Sequence, residues 1–258
     1  MPPGAPGPEA EKVIIASKVA VRFGTRTIFQ DVSFDVRRGE VFVVLGGSGC
    51  GKSTLLRLLV GLVPAAAGEA RVLGVRIDDP SREAQEKIRR NTGVMFQQGA
   101  MFGSFSLLAN VMLPLVEFTR LPEAAAEWVA RTKLGLVGLA DFADFMPSEI
   151  SGGMLKRAAI ARAMALDPEI LFLDEPSAGL DPITSAGLDA LILSLSRDLG
   201  ITFVVITHEL QSILAIGDRV IMLDREAKGM IAEGDPRALR DHATRPTVRA
   251  FFRREVMA

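Results

Sequence analysis

A glycine-rich segment near the start of the chain contains the residue types needed to hold a polyphosphate. The segment consists of Gly46, Gly47, Ser48, Gly49, Cys50, Gly51, Lys52 and Ser53, followed by Thr54. It fits G-x-x-x-x-G-K-[ST], in which glycines let backbone N–H groups surround phosphate oxygens. Lys52 supplies a positive charge, and the Ser53 hydroxyl can ligate Mg²⁺. An apolar run before the segment and a helical pattern after it argue against an ordinary turn, so residues 46–54 are predicted to bind a nucleoside triphosphate.

Two adjacent carboxylates end an apolar run later in the chain. Asp174 and Glu175 follow residues 170–173, which read Ile-Leu-Phe-Leu. Ligands bind at the carboxyl ends of strands in open α/β sheets, so both groups are expected beside the phosphate loop. We assign Mg²⁺ coordination through water to Asp174 and polarisation of the attacking water to Glu175. An isolated pair of this kind is more typical of a helix cap, and it is the phosphate loop that favours the hydrolytic role.

The single cysteine, Cys50, lies inside the phosphate loop. A thiol near a helix N-terminus is expected to have a lowered pKa, and bound nucleotide is then predicted to slow its alkylation. The alternative is a small side chain with no chemical role. One cysteine cannot form an internal disulfide, which favours a reducing compartment.

A second anion site is predicted at Ser151, Gly152 and Gly153. These residues precede a helical pattern that ends near Ala165. The serine hydroxyl, the backbone N–H groups and the helix N-terminus together favour an anion. This segment is too far along the chain to be assumed local to the first loop.

Hydrophobic periodicity predicts the elements that position these groups. Strands are predicted at residues 19–23, 32–36, 41–45, 71–77, 94–96, 170–173, 202–207 and 219–223. Helices are predicted at residues 53–60, 81–90, 123–134, 151–165, 184–199 and 210–216. Buried strands alternating with helices indicate an α/β fold with a mainly parallel sheet, and residues 104–165 are predicted to be a helical insert in it.

The two ends of the chain differ in composition from the rest. Residues 1–12 contain four of the 14 prolines and are predicted to be a disordered lead-in without the features of a secretory signal. Residues 236–258 form a basic, weakly helical segment, which we interpret as a solvated tail rather than a lipid-binding patch.

Composition excludes two classes of protein. The 30 Lys and Arg residues against 31 Asp and Glu give a net charge of −1, without the basic excess typical of nucleic-acid binders. Mean hydropathy is high at +0.27, yet no apolar run approaches the roughly 18–20 residues of a membrane-spanning helix. Any action at a membrane is therefore expected to go through a partner or a surface.

Together, these motifs resemble those of ABC-type ATPases over nearly the whole chain after the lead-in. The resemblance implies a P-loop NTPase fold at residues 13–235, an ABC-type nucleotide-binding domain with a mainly parallel core sheet, an antiparallel β subdomain and the inserted helical subdomain. Two such cassettes dimerise head to tail in this family. Each ATP, with Mg²⁺, then lies between one subunit's phosphate loop and the other's signature segment, here residues 151–153.

The resemblance assigns roles to four further residues. Phe23 resembles the aromatic residue that stacks on adenine, although a strand-core role is the alternative. Gln97 resembles the loop glutamine that contacts Mg²⁺ and connects to the helical insert. Asp181 ends a segment at residues 176–181 that resembles the loop joining the two sites across the dimer. His208 resembles the histidine at the γ-phosphate, which acts in hydrolysis with Glu175 and Gln97.

Shorter motifs resemble the ATPases of MCE-type lipid transporters, of which the maintenance-of-lipid-asymmetry system is an example. They are Met154, Glu209, residues 96–102 and residues 110–115. This resemblance implies a membrane-embedded permease, an MCE-domain lipid-binding protein and a peripheral position on the cytoplasmic face of the inner membrane. The apolar side chains of residues 99–115 (Met101, Phe102, Phe105, Leu107 and Leu108) are either a permease interface or the core of the helical subdomain.

Three alternatives share parts of this pattern. An importer ATPase for a polar solute, such as an amino acid, has every catalytic motif and stays open. Relatives that act on DNA or ribosomes need long coiled coils or two cassettes in one chain. A nucleotide sensor that does not hydrolyse would lack the base or the histidine, and Glu175 and His208 are both present.

Overall fold

The computed structural model describes residue 7 and residues 9–254, and its strands form two sheets. The strands are β1 (Lys12–Phe23), β2 (Arg26–Arg37), β3 (Val41–Gly46), β4 (Ala67–Val72), β5 (Val75–Arg76), β6 (Thr92–Met95), β7 (Ile170–Asp174), β8 (Thr202–Ile206), β9 (Arg219–Asp224) and β10 (Gly229–Gly234). The six-stranded sheet has the order β10-β9-β3-β8-β7-β6, and the four-stranded sheet has the order β2-β1-β4-β5. Only β10 runs antiparallel in the larger sheet, whereas the smaller one is antiparallel throughout. The predicted mainly parallel core sheet and antiparallel β subdomain are confirmed.

Strand β3 lies at the centre of the large sheet because both of its faces are apolar. Val43 and Leu45 pack into the core on one face, and Phe42 and Val44 pack into the core on the other. Successive side chains of a strand point to opposite faces, so a continuous apolar run suits a sheet that is covered on both sides.

The strand register brings the ends of β3, β7 and β8 to one edge of the sheet. Ile206 pairs with Val44 on one side and with Asp174 on the other, in parallel. The segments that leave these three strands therefore start side by side. They are the phosphate loop, Glu175 and His208, which lie far apart in the sequence.

Nine α-helices lie within the described residues. They are α1 (Lys52–Leu59), α2 (Arg82–Asn91), α3 (Leu107–Phe118), α4 (Glu123–Leu136), α5 (Gly152–Ala163), α6 (Pro182–Leu199), α7 (Leu210–Ile216), α8 (Pro236–His242) and α9 (Pro246–Arg253), with 3-10 turns at Ala140–Phe142 and Pro147–Glu149. Helices α3, α4 and α5 follow one another between β6 and β7 and share buried apolar side chains. Ser81 caps α2 by accepting a hydrogen bond from the Ala84 N–H at 3.3 Å.

Two predictions about local structure are wrong. The strand expected at residues 71–77 is a hairpin, because Leu73 and Gly74 adopt positive φ values of 51° and 76° and turn the chain between β4 and β5. The segment from Pro236 to Arg254 is not the solvated tail that we predicted. Val248 and Phe252 of α9 are 1% and 4% exposed and join the main core. Their spacing of four residues puts both on one face of the helix.

No helix in the described part of the chain is both long enough and apolar enough to cross a bilayer.

Residues 1–6 and 8 of the predicted lead-in lie outside the described residues, and Lys12 already pairs with Arg37 in the sheet. Residues 255–258 of the predicted tail also lie outside them.

Candidate nucleotide-binding site

The phosphate loop runs from the end of β3 to the start of α1, and backbone packing fixes its shape. Gly46 has a φ of +148°, and a Cβ at this position would lie 2.3 Å from the backbone oxygen of Leu223. Gly51 has a φ of +104°, and its Cβ would lie 2.9 Å from Phe29 Cδ1. Neither position tolerates a side chain. Packing against neighbouring strands therefore fixes the backbone at both of these positions.

The opposite side of the loop is open and polar. Gly47, Ser48 and Gly49 are exposed, and a Cβ built at either glycine meets no described atom within 4 Å. The Lys52 ammonium group donates hydrogen bonds to the carbonyl oxygens of Gly46, at 2.9 Å, and Gly47, at 3.2 Å. The amine, the loop backbone and the N-terminus of α1, with half-buried Ser53 and Thr54, lie together. This arrangement suits a polyphosphate.

The structure contradicts the expectation that Cys50 is an activated thiol. Its side chain is 1% exposed and packs in the apolar core beneath the loop. Burial raises the pKa of the Cys50 thiol, although the nearby Lys52 charge acts in the other direction. The lowering of the pKa that we expected from the helix N-terminus is smaller than the rise caused by desolvation, because the thiol points into the core. The alternative, a small side chain without a chemical role, agrees with this position.

Ser53 and Asp174 meet at the edge of the large sheet. The Ser53 hydroxyl donates to Asp174 Oδ1 at 3.2 Å. Burial raises the pKa of the Asp174 carboxyl, and the charge of Glu175 acts in the same direction. Two adjacent buried carboxylates are costly unless a cation offsets their charge. Hydroxyl and carboxylate oxygens are also the ligands that Mg²⁺ prefers, so the donor set fits this ion.

Glu175 and His208 form the second contact at this edge. His208 Nδ1 lies 2.8 Å from Glu175 Oε1, whereas Glu175 Oε2 is buried and has no hydrogen-bond partner among the described residues. The backbone of Glu175 has a φ of +49°, and its N–H donates to the Ile206 carbonyl oxygen at 2.8 Å. This conformation is rare for a residue other than glycine. It holds one free carboxylate oxygen beside Asp174.

Phe23 and Gln97 are available to a ligand. The Phe23 side chain is 53% exposed, so the strand-core alternative is wrong. Phe23 lies in the same β-hairpin as Phe29, which packs against Gly51. Gln97 is also exposed and follows β6 at the edge where β7 ends. The role of Phe23 toward adenine and that of Gln97 toward Mg²⁺ stay predictions.

The signature segment lies on a different part of the chain's surface. Ser151 caps α5 by accepting a hydrogen bond from the Met154 N–H at 3.3 Å, and Ser151 and Gly152 are exposed. A Cβ at Gly153 would lie 2.4 Å from Thr184 Cγ2, so a glycine is needed where α5 meets α6. Asp181 caps α6 through the N–H groups of Ile183 and Thr184, both at 3.0 Å. Within the described residues, no hydrogen bond joins this region to the phosphate loop.

Two positively charged side chains of α5 contact the loop after β6, and neither contact was predicted. Lys156 donates a hydrogen bond to the Gln97 carbonyl oxygen, and Arg162 donates to those of Ala100, at 2.7 Å, and Gly99, at 2.8 Å. The sequence does contain a signal for Lys156. It precedes the buried Ala159 and Ile160 by three and four positions, so it is a charged residue on the apolar face of a helix.

Known proteins of similar sequence and structure show which family this chain belongs to. A family model described as ABC transporter matches residues 29–178. The chain is 41% identical over 229 residues to the "Intermembrane phospholipid transport system ATP-binding protein MlaF" of Escherichia coli K12, covering 89% of this chain and 84% of that protein. It is 40% identical over 230 residues to the "Probable ribonucleotide transport ATP-binding protein mkl" of Mycobacterium tuberculosis H37Rv, covering 89% of this chain and 63% of that protein.

A solved structure shares the fold. It is the dimeric, post-hydrolysis ATP-binding cassette MJ0796 bound to ADP and Pi, with a TM-score of 0.76 and 29% identity, covering 86% of this chain and 98% of that one. Fold and site together define a P-loop nucleotide hydrolase of the cassette type. The chain belongs to the ABC transporter family, as one of its ATP-hydrolysing cassettes. The resemblance to lipid-transport ATPases of the Mla type is also confirmed.

Proposed function

We propose that this chain is the ATP-hydrolysing subunit of a phospholipid transporter and acts as a homodimer beneath a separate permease. The observation that carries the hydrolytic part is the free, buried Oε2 of Glu175 next to the Ser53–Asp174 pair. The similarity to MlaF supports the lipid part.

Residues 46–54 hold the phosphates of ATP, and Lys52 neutralises their outer charge. Phe23 stacks on adenine from its exposed position. Ser53, Asp174 and Gln97 hold Mg²⁺, which supplies charge stabilisation to the phosphates when it is bound. Glu175 Oε2 accepts the proton of the attacking water, and His208 holds the other oxygen of the same carboxylate in place.

The second half of each site comes from the partner copy. Ser151, Gly152 and Asp181 are exposed, and within one chain they make no hydrogen bond to the phosphate loop in the described region. A head-to-tail dimer places them on the partner's nucleotide. ATP binding closes this dimer, and hydrolysis with product release reopens it.

The loop after Gln97 is the contact to the permease. Phe102 and Phe105 are 49% and 40% exposed, whereas Leu107 and Leu108 are buried, so this apolar segment is divided between surface and core. The fully buried Asn110 amide donates to the carbonyl oxygens of Phe102, at 3.0 Å, and Phe105, at 3.1 Å. This fixes both rings outward, where a membrane partner can cover them. The permease keeps the chain peripheral on the cytoplasmic face of the inner membrane, and an MCE-domain lipid-binding protein completes the system.

The test is purification of tagged Glu175→Gln protein from gently solubilised membranes with Mg-ATP, followed by mass spectrometry of proteins and lipids. A multi-pass permease with an MCE-domain protein and phospholipid supports the proposal. A permease without an MCE protein favours a polar-solute importer, for which the similarity to mkl is the supporting observation. The absence of any membrane protein would contradict transport. Lys52→Ala protein purified in parallel shows which partners depend on bound nucleotide.

A further inference from the structure

Helix α5 holds the loop after β6 through hydrogen bonds to three backbone carbonyl oxygens of that loop. Lys156 Nζ donates to the Gln97 carbonyl oxygen. Six residues further along the helix, the Arg162 guanidinium group donates to the carbonyl oxygens of Ala100 and Gly99 at 2.7 and 2.8 Å. Both side chains bind the backbone, so they fix the path of the loop that carries Gln97.

Stability alone does not explain these two cations. Lys156 is 8% exposed, and Arg162 is half-buried. Neither forms an ion pair with a carboxylate within the described residues, and a buried cation without such a partner costs more than an apolar side chain.

The same helix begins at the signature segment. Ser151 is its N-terminal cap, and Gly152 is its first residue. Lys156 lies four positions further, about 6 Å along the axis at 1.5 Å per residue. Under the proposed function, Gln97 serves the subunit's own nucleotide, whereas the signature segment serves the partner's. One rigid turn of α5 therefore separates parts of two different nucleotide sites.

We propose that Lys156 and Arg162 are positioning residues that lock the Gln97 loop to α5 and thereby make the two nucleotide sites of the dimer respond together. This inference rests on the proposed function, because it needs two ATP sites that share α5. Movement of Gln97 at one site shifts the signature segment at the other through these hydrogen bonds.

The test compares Lys156→Met with Lys133→Met in the full chain. Lys133 is a matched control because it is also 8% exposed and lies on the helical subdomain, but it pairs with Asp167, away from the nucleotide loops. ATP hydrolysis is measured against ATP concentration to give kcat, KM and the Hill coefficient. Thermal unfolding and binding of a fluorescent ATP analogue are measured on the same samples.

We expect Lys156→Met to lower kcat about tenfold and to bring the Hill coefficient down to one, with the affinity for the analogue unchanged. Its unfolding midpoint should stay the same or rise, since a buried charge is removed. Lys133→Met should keep the kcat and Hill coefficient of the wild type. A purely structural role for Lys156 would lower the unfolding midpoint and leave the Hill coefficient unchanged.

Wild-type kcat and cooperativity in Lys156→Met would overturn the inference. If that variant does not fold, Arg162→Met provides the same test on the same loop, and unchanged cooperativity there would overturn it equally. Failure of the proposed function looks different: the wild-type chain itself would then form no dimer with Mg-ATP in light scattering and would have a Hill coefficient of one, and both proposals would fall together.

Discussion

His208 Nδ1 contacts Glu175 Oε1 at 2.8 Å, across 33 positions of sequence. The contact occupies one oxygen of the carboxylate and leaves the other buried without a partner among the described residues. An imidazole that contacts one oxygen of a carboxylate restricts the orientation of that carboxylate, so that the other oxygen faces one direction. Under the proposed function, the base and the histidine therefore act as a unit, and the His208 side chain is still 56% exposed.

The first prediction concerns the base. Glu175→Gln should retain ATP binding but lose turnover by about 100-fold or more, because an amide cannot accept the proton. Released phosphate measures turnover, and light scattering should show a dimer that persists with Mg-ATP. Glu209→Gln is the matched control, since its carboxylate lies 3.9 Å from His208 Nε2 on the exposed side. Near wild-type turnover in Glu175→Gln would show that Glu175 is not the general base.

Lys52→Ala should weaken ATP binding by at least about tenfold, because the outer phosphates lose a charge-assisted hydrogen bond. The affinity can be measured by calorimetric titration with ATP. Lys87→Ala, on the exposed side of α2, removes the same charge elsewhere and should leave binding unchanged. Equal affinities for the two variants would contradict the assignment of Lys52.

Phe23→Ala should lower the affinity for ATP about fivefold, because one stacking contact is lost. Its effect on stability should be small, since the ring is 53% exposed. Ile15→Ala provides the comparison, as it shortens another exposed side chain of β1. If Phe23→Ala binds ATP as tightly as Ile15→Ala does, adenine does not stack on Phe23.

Cys50 should react slowly with a soluble alkylating reagent, because its thiol is buried and has a raised pKa. Saturating Mg-ATP should slow the reaction further by holding the loop closed over the core. Mass spectrometry of timed samples gives both rates. Ser48→Cys in a Cys50→Ser chain places the thiol on the exposed side of the loop and should react at least about tenfold faster. Equal rates with and without nucleotide would contradict the protection.

Phe252→Ala should lower the free energy of unfolding by about 3 kcal/mol, as expected when a buried aromatic side chain is removed from a core. Phe252 is 4% exposed, whereas its neighbour Phe251 is only partly buried. Phe251→Ala should therefore cost less in the same urea titration. Equally small changes in the free energy of unfolding for both variants would mean that α9 does not pack against the main core.

The sequence by itself predicted the groups that are proposed to do chemistry. The spacing from Gly46 to Ser53, the carboxylates after an apolar run and the histidine after another are local patterns, and local patterns also predicted β3, β7 and β8. A buried parallel strand has a distinctive composition, so these elements and the edge at which they end could be inferred without coordinates.

The tertiary structure decided which side chains meet. Ser53 reaches Asp174 and His208 reaches Glu175 because Ile206 pairs with both neighbouring strands in one register. The direction of the Cys50 thiol depends on how the loop packs on β9, which no local pattern records. In the same way, α9 becomes part of the core only because the main core presents an apolar surface to Val248 and Phe252. Residue type and periodicity are properties of a short segment, whereas burial and contact arise when distant segments pack together.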